Sequence, residues 1–219
     1  MPRVSVVLPC FNAAEYLPRA LASLRAQTLG DIEIIVVDDG SSDPATIAYL
    51  DALPGDIRLL RQENRGLSGA RNAGIAAARG TYVTPLDCDD WLEPDFLEKT
   101  VAALEDNPGA GFAFAHLALE GDASGVLCKN YNFFEQLFLN QLPYCLTMPK
   151  HVWEQAGGYD SSLRHGYEDW ELNIRLGGRG KFGVVVPEPL FHYRVRERYA
   201  EKPVIRPARP IMARHSTAQ

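Results

Sequence analysis

Cysteine is scarce in this 219-residue chain, and Cys10, Cys88, Cys128 and Cys145 stand far apart with no C-x-x-C pair. That spacing gives no support to a disulfide framework and argues against a zinc site. Long apolar runs are missing too. No stretch approaches the roughly 18 residues that a membrane-spanning helix needs. The N-terminus offers one arginine and an apolar run of five residues before Pro9, too short for a secretory signal. Excess positive charge is also absent: the formal net charge is -6, which does not favour a nucleic-acid partner. Together these absences predict a soluble, cytoplasmic protein.

The charge that is present is unevenly placed. Residues 196–219 hold Arg196, Arg198, Lys202, Arg206, Arg209 and Arg214 against Glu197 and Glu201, a net of +4 that leaves -10 on residues 1–195. Three prolines and little apolar periodicity make 196–219 read as a basic tail, either solvated or in weak peripheral contact with anionic lipid. Residues 1–195 read as one domain, with 1–106 and 107–195 as its halves.

The first half alternates in a regular way. Val4 to Leu8 is a continuous, β-branched run, as expected of a strand covered on both faces. Leu17, Ala20, Leu21 and Leu24 then recur at helical spacing. A second buried strand spans 32–37, Asp43-Pro44 opens a helix to about residue 53, and a short strand covers 57–60. A helix over 68–79, stopped by Gly80, leads into a strand over 81–86. Strand and helix in turn predict an α/β, doubly wound, mostly parallel central sheet flanked by helices. In such a sheet the ligand lies at the carboxyl ends of the strands. The second half is less regular, with strands predicted at 112–119, 182–186 and 190–194, and helices at 133–139, 150–156 and 168–176.

Four polar clusters carry the candidate site chemistry. In PLDCDDW, Asp87 and Asp89 are two apart, so on extended chain they project to one side. Carboxylates that close resist joint ionisation, and a hard divalent cation removes the conflict. A solvated acidic turn, with Asp90 capping the next helix, is the plainer reading. Asp38-Asp39-Gly40-Ser41 is either an Asx turn or a carboxylate offered to a ring N–H. Asn64-Arg65-Gly66-Leu-Ser-Gly69-Ala-Arg71-Asn72 sets arginines at a loop-to-helix junction suited to phosphate, without the G-x-x-x-x-G-K-[ST] of a P-loop. Glu168 and Asp169 suit a first helical turn through the helix dipole alone, or one of them is a general base.

In order and spacing, VSVVLPCFNAAEYL, VVDDGSSD, NRGLSGARNAG, TYVTPLDCDDWLEPD and GGYD…GYEDWELNIRL resemble a family 2 glycosyltransferase over roughly residues 3 to 176. The resemblance implies a GT-A fold and an inverting transfer of sugar from a nucleotide-sugar donor, in glycan synthesis at the cell envelope, with uracil as the base. The acceptor it implies is a hydroxyl on a glycan or glycolipid. It also implies site roles. Pro9 and Phe11 border the base and Asp39 accepts from it; Arg71 faces the nucleotide, with Arg65 a second candidate, and Asp87 meets the ribose side. Asp89 holds a divalent metal, manganese or magnesium, with Asp90 as its neighbour or substitute. Asp169 is the catalytic base, with Glu168 and Trp170 on the acceptor. His192 is a candidate late metal ligand that a lone strand histidine does not establish. The alternatives are a nucleotidyltransferase and a non-catalytic nucleotide-sugar-binding module.

Overall fold

Val4–Cys10 (β1) lies at the middle of a five-stranded sheet, and its uninterrupted apolar run is explained by cover on both faces. In the computed structural model of the chain, residues 1–163 and 166–196 are described. β1 runs parallel to Ile32–Asp38 (β2) on one side and Tyr82–Pro85 (β4) on the other, and β2 runs parallel to Ile57–Arg61 (β3). An antiparallel edge strand, Met148–Pro149 (β8), completes the order β3-β2-β1-β4-β8. The sheet is thus mixed and mostly parallel, as expected.

Alternation along β1 feeds two cores. Val4, Val6 and Leu8 join Leu17, Leu21 and Leu24 of helix α1 (Leu17–Arg25) and Phe96, Leu97 and Val101 of helix α4 (Phe96–Glu105). Val7, on the other face, joins Ala70 and Ile75 of helix α3 (Gly66–Ala77), Phe112, Phe114 and Trp153. Between β2 and β3, helix α2 (Pro44–Asp51) starts where Asp43 accepts a hydrogen bond from the Thr46 N–H at 2.8 Å, so the Asp-Pro signal is a true cap.

α3 stops two residues earlier than its periodicity predicts, and Gly80 has a different job from a helix cap. A Cβ there would lie 2.6 Å from the Ser5 nitrogen. The glycine lets the chain pass close to β1, and its N–H donates to Ser5 Oγ at 2.9 Å.

A second sheet, in the order β5-β9-β6-β7, is not evident from the sequence. Trp91–Leu92 (β5) pairs antiparallel with Phe182–Val195 (β9), which runs parallel to Ala110–Gly121 (β6); Gly125–Leu127 (β7) is an edge strand on β6. β9 merges the two strands expected at 182–186 and 190–194. Its pairing with β6 jumps from Val186 to Phe191, so Pro187 and Pro189 sit in the irregularity, where a missing donor costs nothing. The helix expected over 133–139 is only Phe133–Gln136 (α5). Lys150–Ala156 (α6) has its expected bounds. Glu168–Gly178 (α7) runs through Gly177 instead of ending before it, because the absent Cβ makes room for the Phe133 ring. Among the described residues no helix is long and apolar enough to cross a membrane, and all four cysteines are free thiols. The tail expected from residue 196 lies, beyond Arg196 itself, outside the described residues.

Candidate active site

The carboxyl ends of β1, β2 and β4 meet at one edge of the sheet, and each delivers a polar group. After β1, Asn12 takes a left-handed backbone (φ 51°), and its Oδ1 accepts the N–H groups of Ser42 and Asp43, both at 2.9 Å. The β1 and β2 loops are thereby joined. Asp38 turns inward to accept the Ser41 N–H at 2.9 Å. Asp39 faces a cleft of about 230 Å³ lined by Pro9, Phe11, Gly66, Leu67 and Ala70 among others. Its Oδ1 is held by Gln62 Nε2 at 2.7 Å and the Arg65 N–H at 2.8 Å, which fixes the carboxylate's direction. The result is a narrow apolar slot, walled by an exposed phenyl ring and carrying one oriented carboxylate, a shape suited to a flat ring with an N–H donor. The structure brings Pro9, Phe11 and Asp39 together here.

At the end of β4, the three acids of PLDCDDW each have a different partner. Arg71 is 1% exposed and donates from Nη2 to both oxygens of Asp87, at 2.8 and 3.0 Å, and from Nη1 to Glu168 at 2.8 Å. Tyr144 and Tyr159 lie at its faces, 4.7 and 5.6 Å from the guanidinium carbon. Burial disfavours this cation, but Asp87, Tyr159 and Glu168 more than offset that and hold it well above its ordinary range. Burial pushes the Asp87 carboxyl up against the pull of Arg71. Glu168 is raised in the same way, with Asp169 adding to burial and Arg71 opposing both. Arg71, expected at the nucleotide, is a buried tie between two acids.

Asp90, expected beside Asp89 at the metal, is held by protein on both oxygens. It is 2% exposed, its Oδ2 accepts from the Tyr144 hydroxyl at 2.5 Å and its Oδ1 from the Arg194 N–H at 2.7 Å. Burial holds its carboxyl well above the usual range. These bonds tie the acidic loop to β9. Asp89, part-exposed like Asp87, is paired through Oδ2 with Arg196 Nη2 at 2.5 Å. A polar cleft of about 250 Å³ opens beside it, lined by Arg19, Trp91, Glu120, His192 and Arg194. His192 stacks on Trp91 with centroids 3.3 Å apart. Its ring nitrogens meet Glu93 at 2.7 Å and Glu120 at 3.1 Å, so both are already engaged by protein.

The start of α7 supplies the last pair. Tyr167, just before it, takes a left-handed backbone (φ 71°), a conformation a non-glycine residue holds only when its surroundings enforce it. Asp169 Oδ2 accepts from Asn140 Nδ2 at 3.1 Å, and Oδ1 from the Trp170 N–H at 2.7 Å. Glu168 is buried on Arg71, while Asp169 stays half-buried. Trp170, expected on the acceptor, is 4% exposed, packs with Ile174, Leu137 and Tyr167, and donates Nε1–H to the Gln136 carbonyl at 2.6 Å. Gln62, Asn140, Tyr144 and Arg196 carry the site without belonging to any motif, so sequence reasoning did not select them.

The family model described as "Glycosyl transferase family 2" matches residues 5–146, well over half of the chain. The chain belongs to glycosyl transferase family 2. A chondroitin synthase of Pasteurella multocida (strain Pm70) is 29% identical over 191 residues, covering 83% of this chain and 20% of that protein. Succinoglycan biosynthesis protein ExoO of Rhizobium meliloti (strain 1021) is 38% identical over 154 residues, 69% of this chain and 42% of its own length. The crystal structure of S. aureus TarS 1-349 in complex with UDP-GlcNAc superposes with a TM-score of 0.74 at 17% identity, covering 90% of this chain and 59% of that one. That likeness establishes the fold, a glycosyltransferase α/β core of the GT-A kind. The chain spans about a fifth to two fifths of these two curated relatives. Members of the family generally use a divalent metal. Among the described residues no group of three or more His, Cys, Asp or Glu side chains is gathered as a metal site.

Proposed function

We propose that this chain moves a sugar from a uridine-diphosphate sugar to an acceptor hydroxyl, with inversion at the anomeric carbon. The observation that carries the reading is the slot of Pro9, Phe11 and the oriented Asp39 at the same sheet edge as Asp87, Asp89 and Asp169. Family membership and the UDP-GlcNAc bound by TarS support it. Uracil stacks against Phe11 and offers its imide N–H to the Asp39 oxygen not held by Gln62 and Arg65. A ring lacking a donor at that edge would cover the second Asp39 oxygen without giving it a hydrogen bond, at a cost of about 1–3 kcal/mol.

Asp87 and Asp89 fit a divalent ion. Each already balances a guanidinium, and two carboxylates at one strand end are the donor set that magnesium or manganese takes when phosphate and water complete its shell. We assign Asp89 as the direct ligand. When bound, the ion would offset the charge that grows on the departing diphosphate. Arg71 keeps Asp87 in place from below, so the nucleotide is bound through the acids that Arg71 orders.

Asp169 is the base. Asn140 holds one of its oxygens, and from the first turn of α7 its charge is felt by Asp87. It takes the acceptor proton as the acceptor oxygen bonds to the anomeric carbon. The bond from that carbon to the diphosphate breaks on the opposite face, and its electrons leave with the nucleoside diphosphate. One positioned carboxylate is sufficient, and such catalysis is worth about 10²- to 10⁴-fold. The test is release of free UDP from a panel of UDP-sugars, for the parent protein and Asp169→Asn. Turnover that falls by about that factor in the variant while UDP affinity holds supports the reading. Release of pyrophosphate in place of UDP, or tight binding with no turnover of any sugar, overturns it.

A further inference from the structure

Gln136 is 0% exposed, and a buried side-chain amide is costly unless its polar atoms are bonded. It ends α5, a single turn that Asn132 caps by accepting the Phe134 N–H at 3.0 Å. The Gln136 carbonyl takes the Trp170 indole N–H, and Trp170 directly follows Asp169. The Gln136 side chain reaches Asp169 by a second route. Its Oε1 accepts the Gln141 N–H at 3.1 Å and its Nε2 donates to Asn140 Oδ1 at 3.5 Å. Asn140 Nδ2 in turn donates to Asp169 Oδ2 at 3.1 Å.

The two ends of this relay fix its direction independently. A backbone N–H only donates, so the Gln136 atom facing Gln141 is the oxygen, and its NH2 is turned to Asn140. An ionised carboxylate only accepts, so the Asn140 atom facing Asp169 is the nitrogen, and its oxygen is turned to Gln136. Both arguments set a donor against an acceptor at the middle contact. Turning the Asn140 amide over would put oxygen against Asp169 and nitrogen against the Gln136 NH2, a conflict at both ends. We propose that Gln136 is a positioning residue for Asp169, acting through Asn140 so that the ionised carboxylate always meets a donor. Each Asp169 oxygen keeps a second lone pair for the acceptor hydroxyl. The inference rests on Asp169 as the base and adds the buried residue that orients it.

The test follows UDP release from a working UDP-sugar in the parent, Gln136→Glu, Asp169→Asn and the double variant, with urea unfolding of each. Gln136→Glu keeps the bond to Gln141 but offers Asn140 an oxygen, so the Asn140 NH2 turns to it and away from Asp169. Its kcat should fall about 10- to 100-fold with KM for the UDP-sugar unchanged, the effect of misplacing a catalytic group. In the Asp169→Asn background the same change should lower kcat no further, because no base is left to position. A merely structural role would slow both backgrounds alike. Asn140→Asp reads the relay a second way, since it keeps the shape but sets another carboxylate against Asp169. Such a pair resists joint ionisation, so the acid limb of kcat against pH should move at least about one pH unit higher than in the parent. If urea unfolding shows Gln136→Glu to be unfolded, Asn140→Asp decides alone. Gln136→Glu with the parent's kcat, a loss that persists in the Asp169→Asn background, or an unmoved acid limb in Asn140→Asp overturns the proposal while Asp169 stays the base. An Asp169→Asn protein that turns over like the parent instead overturns the assignment of the base, and this proposal with it.

Discussion

Replacing Arg71 with methionine tests whether the acidic cluster is held by one buried cation. Methionine keeps most of the volume between Tyr144 and Tyr159 but removes every donor. Asp87 and Glu168 then lose their counter-charge together. Breaking a buried pair by removing one partner costs about 3–5 kcal/mol. Asp87 is 23% exposed at its side chain, and water screens part of its share, so the lower end, about 3 kcal/mol, is the better figure. Against a total stability of about 5–15 kcal/mol this is a large loss. For a domain of this size it is a drop of roughly 6–12 °C in melting temperature.

The pH dependence separates charge from packing. Burial already raises Asp87 and Glu168, and Arg71 is what opposes it. Without Arg71 both rise further above their unfolded values, about 3.9 and 4.3. The folded variant then binds more protons than the unfolded chain, and its stability falls as pH rises through that window. The deficit of Arg71→Met relative to the parent should therefore be smaller at about pH 5 than at pH 8. Adding Glu168→Gln should recover part of the loss at pH 8, because one orphaned charge is gone. Urea unfolding of the three proteins at both pH values is the assay. A deficit under about 1 kcal/mol, or one that is equal at the two pH values, refutes the argument.

Asp39→Asn should weaken UDP binding by about 10- to 100-fold, the worth of a charge-assisted hydrogen bond, as measured by calorimetry. Asp89→Ala should bring UDP affinity in manganese down to the level the parent protein shows with chelator; equal affinity in all three conditions removes Asp89 from the metal. Gly80→Ala drives a methyl to within 2.6 Å of the Ser5 nitrogen, backbone that cannot give way cheaply, and should cost about 1–3 kcal/mol in urea unfolding.

The central sheet was legible because its signals are local. A β-branched run covered on both faces, as in Val4–Leu8, and a cap such as Asp43-Pro44 need no distant partner to be read. The second sheet was not, because its members depend on one another. Trp91–Leu92 and Gly125–Leu127 are too short for any periodicity, and β9 is carried across Pro187 and Pro189 only because β6 runs beside it. Within the site, the sequence found acids but not their partners. Asp87, Asp89 and Asp90 look alike in PLDCDDW. What separates them is Arg71, Arg196 and the Tyr144–Arg194 pair, all distant in the chain. Trp170 follows the same rule: beside two acids it reads as a binding residue, and only the Gln136 carbonyl shows it to be core.

The stretch from 128 to 146, which carries no motif at all, is where the two halves of the reaction are joined. Tyr144 accepts the Asp87 N–H at 2.9 Å, donates to Asp90 and lies on the Arg71 guanidinium. Four residues earlier, Asn140 holds Asp169. One short segment thus contacts the acids assigned to the donor and the carboxylate assigned to the acceptor proton. From below, Arg71 ties Asp87 to Glu168, the residue next to Asp169. These two ties, which meet where the Tyr144 ring lies on Arg71, hold the acids proposed for the donor near the proposed base. That placement is what an in-line displacement requires, since misplacing the groups by about 1 Å can cost 10²-fold in rate.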